Sequence, residues 1–75
     1  MEKKYRIASR GHENWPQTRV NRRWKKIAAH PGGEFGLYPE GDRSHPKSIA
    51  ECKRIIEDYD LWNSRKQLPI TYKEI

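Results

Sequence analysis

Ser48-Ile49-Ala50-Glu51-Cys52-Lys53-Arg54-Ile55-Ile56-Glu57-Asp58-Tyr59-Asp60-Leu61-Trp62-Asn63 is the stretch that decides the fold. Ile49, Cys52, Ile55, Ile56, Tyr59 and Trp62 recur at intervals of three and four, which lines them up on one stripe of an α-helix. Ser48 with Glu51 three residues on makes a capping box, in which each side chain takes a backbone N–H that the helix start leaves free. Lys53 with Glu57, and Arg54 with Asp58, are opposite charges four apart on the outer face. Asn63 is a suitable stop. The spacing predicts a helix over about 48–63, and a helix with one apolar stripe must lie on an apolar surface.

The residues before it supply that surface. Tyr5-Arg6-Ile7-Ala8-Ser9-Arg10 alternates, with Tyr5 and Ile7 inward and Arg6 and Arg10 outward. Gly11 to Pro16 reads as a loop by composition. Strands at about 17–20 and 23–29 are joined through Asn21-Arg22, although Gly is the favoured second residue of such a turn. His30-Pro31-Gly32-Gly33 suits a type II turn, and Glu34–Tyr38 resumes a strand before Pro39-Glu40-Gly41-Asp42 breaks it. Ile70-Thr71-Tyr72-Lys73 reads as a last edge strand or as an arm docking on another molecule; as an edge strand it offers a route to a homodimer that the pattern does not require. The expected fold is α+β: an antiparallel sheet of three to four strands with one helix across it. Tyr5, Ile7, Val20, Trp24, Ile27, Phe35 and Leu37 are the sheet residues available to meet the helix.

The chain of 75 residues has room for one small domain, 1–75, with loose ends expected at Met1–Lys3 and Ser64–Leu68. Such a chain buries only about 60% of its unfolded surface. With 33% hydrophobic and 35% charged residues it stands near the composition of disordered chains, and its three Trp and four Tyr argue for a fold. A lone cysteine, Cys52, forms no internal disulfide, which fits a reducing compartment. No apolar run is long enough to span a bilayer, and no apolar segment follows the first lysines as a signal peptide requires. The expectation is a cytoplasmic protein.

The net charge of +6 is an N-terminal property. Residues 1–30 carry nine Lys/Arg against Glu2 and Glu13, leaving +7, whereas residues 31–75 carry seven basic and eight acidic residues, leaving −1. A field concentrated in this way favours a polyanion. Its densest part is Arg19-Val20-Asn21-Arg22-Arg23-Trp24-Lys25-Lys26, with five cations in eight residues. As a hairpin this is a projecting basic ribbon, of a size to enter the major groove of DNA, where Arg binds guanine with two donors. Counterion release by its cations supplies affinity. The expected contact set is Arg19, Arg22, Arg23, Lys25 and Lys26, with Arg6 and Arg10 (and Lys3 and Lys4) adding to the field. Trp15, beside Pro16, reads equally as a base-stacking residue or as a loop anchor, whereas Trp24 and Cys52 are expected in the core.

Catalytic and metal sites are not expected. His12, His30 and His45 lie in predicted loops without ligand spacing, and no cofactor motif is present. A ribonuclease using His12 or His30 as general base lacks a second group at a recognisable spacing. The glycines match no phosphate loop. Glu57, Asp58 and Asp60 crowd the last turns of the helix, where the macrodipole disfavours them; were they to pair with the hairpin, its charge would be neutralised.

Strands followed by one packed helix are similar in outline to the small sheet-and-helix DNA-binding domains at the N-termini of some phage-type integrases. The resemblance carries no motif and implies only that nucleic-acid binding suits the architecture. The leading expectation is a non-enzymatic nucleic-acid-binding protein, DNA ahead of RNA, serving as an accessory factor of a phage or mobile element. The alternative is a protein-interaction module or phage-encoded inhibitor meeting an acidic protein surface, with Trp15, Tyr38 and Tyr72 as anchors.

Overall fold

The helix forms where the spacing places it, from Ile49 to Lys66 (α1), in a computed structural model that describes residues 4–66, 68, 69 and 71–74. The capping box is present: Ser48 Oγ accepts the Glu51 amide at 3.1 Å, and the Glu51 carboxylate accepts the Ser48 amide at 3.4 Å. Asn63 does not end the helix, which runs one turn further to Arg65 and Lys66, cations that suit its negative pole. Ser64–Lys66 are therefore helical rather than loose, while Met1–Lys3 and Gln67 lie outside the described residues.

Four strands precede the helix: β1 (Tyr5–Arg10), β2 (Glu13–Val20), β3 (Arg23–Ala29) and β4 (Phe35–Pro39). They form an antiparallel meander in the order β1-β2-β3-β4. The turn between β2 and β3 is Asn21-Arg22, both with positive φ (51° and 65°), as the two-residue turn that matches strand twist demands. Gly32 (φ 92°) supplies the left-handed position of the turn into β4, closed by the Gly33 amide on the His30 carbonyl at 3.3 Å. Thr71–Glu74 form no strand, so the described part of the expected edge strand at 70–73 is absent; Ile70 lies outside the described residues.

Glu13–Pro16 are strand rather than loop. The pairing of β1 runs on to Arg10–Glu13, whereas the β2–β3 ladder begins only at Gln17–Lys26. Pro16, which has no N–H to give, thus stands where β2 pairs with β1 alone.

Alternation along the strands assigns the two faces. Tyr5, Ile7, Pro16, Thr18, Val20, Ile27, Phe35 and Leu37 share the face on which α1 lies, packed mainly on β2 and flanked by β1 and β3. The core there is Ile27, Cys52 and Tyr59, with Tyr59 set edge-on to Tyr5 and Phe35. Ile49, at the start of the predicted stripe, is 53% exposed. The opposite face carries Arg6, Trp15, Gln17, Trp24, Lys26 and Tyr38, and its middle is covered too, where Trp15, Gln17 and Lys26 are buried. The connection from Glu40 to Pro46 folds over it, with the Arg43 guanidinium 4.9 Å from the Trp15 ring centre and Ser44 on Lys26. Lys47 then bridges to Asn14, and the chain enters α1. The domain is an α+β fold, a four-stranded antiparallel sheet with α1 on one face and the Glu40–Pro46 loop over part of the other.

Candidate functional site

The β2–β3 hairpin outruns its neighbours. Pairing with β1 starts at Thr18, and pairing with β4 ends at Lys25. Lys4, just before β1, still accepts the Arg19 amide through its carbonyl at 2.9 Å, so among the described residues it is the Val20–Arg23 pair and the turn that project beyond the neighbouring strands, by about 3 Å at ~3.3 Å per residue. Arg22 sits at the apex, exposed, in a left-handed conformation that a side chain adopts at a cost of roughly 1–2 kcal/mol and glycine adopts freely. Arg23 and Lys25 point to the helix side, in register with Val20 and Thr18, and Arg19 to the other. Among the described residues, no carboxylate forms an ion pair with Arg22, Arg23 or Lys25.

Not every expected contact residue joins this cluster. Lys26 is 3% exposed: its ammonium donates to the carbonyl and the Oγ of Ser44 (2.9 Å to Oγ) and lies 3.5 Å from Asp42. Trp15 is 1% exposed, neither a stacking platform nor a protein-binding anchor. Arg6 is outward as expected but committed, lying 4.0 Å over the Trp24 ring and bonding Gln17 and Glu40. Arg10 ends β1 opposite Glu13, at the far end of the sheet from the tip. Both tryptophans thus depart from expectation. Trp24, expected inside, is half-buried on the outer face, and Trp15, expected in a loop, is in the interior. Strand parity decides this, because the strand begins at Glu13 and one face of it is roofed by the loop.

Among the described residues, no ion pair joins Glu57, Asp58 or Asp60 to Arg22, Arg23 or Lys25. Asp60 accepts the Tyr5 phenol at 2.6 Å, and burial together with this bond raises the Tyr5 pKa. Asp42 binds Ser44 through its amide (2.9 Å) and its hydroxyl (2.6 Å), bonds that lower its pKa. The histidines occupy separate places: His12 in the β1–β2 turn, His30 against the Tyr38 hydroxyl at 3.1 Å, and His45 in the covering loop. Among the described residues, no three His, Cys, Asp or Glu are grouped to hold a metal ion, and no helix is long and apolar enough to cross a membrane. No family model, curated protein or solved structure matches the chain.

One site has no counterpart among the sequence expectations. Where α1 crosses the sheet towards the hairpin end, a cup of about 500 Å³ opens between Tyr5, Val20, Leu37, Tyr59 and Trp62, with Lys4 and Lys66 on its rim. The helical spacing of Tyr59, Trp62 and Lys66 contained the signal, but only the packing shows that the stripe's last residues overhang open sheet.

Proposed function

We propose that the protein binds nucleic acid, without catalysis, through the tip of the β2–β3 hairpin. The observation that carries this reading is Arg22 in a left-handed turn position at the apex of a ribbon that overreaches its sheet, beside Arg23 and Lys25. Backbone strain is retained where a side chain has a task, and cations clear of carboxylates have phosphate as their natural partner. DNA stands ahead of RNA, since a two-stranded ribbon enters the B-form major groove and not the deep, narrow one of A-form RNA. The contact set narrows from the expected one to Arg22, Arg23 and Lys25, with Arg19 and Lys4 alongside.

The test is a titration of labelled DNA and RNA at several salt concentrations. Binding should weaken steeply with salt, and an Arg22→Ala/Arg23→Ala/Lys25→Ala variant should lose it while keeping the native melting transition. A folded triple variant that binds as well as the parent would overturn the reading. A second reading is docking on a protein, in which the same basic tip meets an acidic surface and exposed Leu61 and Tyr72 serve as apolar contacts. A partner retained after nuclease treatment, and lost on Leu61→Lys, would support it.

A further inference from the structure

We propose that the cup beside the hairpin seats an unpaired base of a single-stranded nucleic acid, an inference that rests on the nucleic-acid reading above. Its walls are aromatic. Trp62 lies 5.5 Å from Phe35 and 5.9 Å from Tyr59, centre to centre, and Tyr59 meets Tyr5 edge-on at 6.2 Å. These rings hold one another in place, so a stacking surface is preformed. Trp62 is only half-buried, and above its ring stands the Lys66 ammonium, 4.9 Å from the centre. A base stacking there displaces Lys66 and leaves its charge for the adjoining phosphate.

Charge selects a nucleic-acid strand rather than an apolar ligand. Lys4 and Lys66 stand on the rim. Arg23 and Lys25 project from the same face of the sheet as Val20 and Thr18, which line the cup. A strand whose phosphates follow Arg23 and Lys25 is led over Val20 to the aromatic wall. Asp60, the nearby carboxylate, is engaged by the Tyr5 phenol. A base within a duplex presents only its edge and cannot enter, whereas an unpaired base of DNA or RNA offers its face.

The experiment compares single-stranded DNA, single-stranded RNA and duplex DNA of one sequence, at fixed salt, on the intact chain. Single strands should bind more tightly than the duplex and quench tryptophan emission. Trp62→Leu should weaken single-strand binding about tenfold and leave duplex binding unchanged. Trp62→Phe, which keeps a ring and the packing, should retain affinity and lose the quench; Lys66→Glu, at the surface, should also weaken the single strands. Equal binding of duplex and single strand, or undiminished single-strand binding by folded Trp62→Leu and Lys66→Glu, overturns the cup assignment and leaves the hairpin reading standing. Absence of binding to all three at low salt removes both.

Discussion

Lys26 of the sheet and Asp42 of the loop that roofs it face each other at 3.5 Å, with Ser44 between them accepting from the lysine and donating to the carboxylate. A lysine drawn from the most basic stretch of the chain is thereby a fastening of the fold. Its ammonium is buried and satisfied, and through Ser44 it holds the segment that covers Trp15.

Lys26→Met keeps the aliphatic stem and removes the donor. It should destabilise the domain by about 1–3 kcal/mol, which for a chain of this size lowers Tm by ~4–8 °C per kcal/mol. Thermal melts followed by circular dichroism measure this. An unchanged Tm would show that the roof does not depend on the ammonium. Lys26 accordingly has no place in a set of binding knock-outs, where its loss would report unfolding.

The Asp42 carboxylate is held below its ordinary pKa of 3.8, first by the Ser44 hydroxyl and then by the Ser44 amide. A carboxylate depressed in the folded state contributes stability above its unfolded pKa and loses it as pH falls through the folded one. Its share should be full from neutral pH down to about 5, fall as the unfolded carboxylate takes up protons, and be lost as pH drops through the lowered folded pKa. Denaturant unfolding of the parent and of Asp42→Asn at pH 6, 4 and 2.5 should show the gap between them narrowing as pH falls, most of it in the last step. A gap constant across all three would refute the ionic role.

Arg22→Gly relieves the left-handed strain at the hairpin apex while removing its charge. Stability should rise by roughly 0.5–1 kcal/mol as affinity for polyanions falls. A gain in Tm with no loss of binding would show that the apex arginine serves no ligand.

Cys52 is fully enclosed between helix and sheet, and burial, with Glu51 second, raises its thiol pKa. The thiolate is the reactive form. Labelling with a thiol reagent at pH 8 should therefore be slow in the native state and become fast in denaturant. A native rate equal to the denatured one would place Cys52 outside the core.

Much of this architecture is written in short-range pattern. The capping box, the three-and-four stripe of α1, the Pro-Gly turn before β4 and the Asn21-Arg22 hairpin all form as the local chemistry directs, because each is decided by residues within a few positions of one another. The apex cations Arg22 and Arg23 were legible for the same reason. The fates of Trp15, Trp24, Lys26 and Arg6 were not. The place of Trp15 follows from β2 starting at Glu13 rather than after Pro16, the face of Trp24 and Lys26 from their pairing with Arg19 and Gln17, and the commitment of Arg6 from Gln17, Glu40 and the Trp24 ring. Trp15 and Lys26 depend also on Glu40–Pro46 folding back over a face that the alternation marked as solvent. Pattern fixes the period of an element and its polar side. Burial is set by what the rest of the chain brings to lie upon it, and here a polar loop with one aspartate and one serine satisfies a lysine that would otherwise have stayed in water.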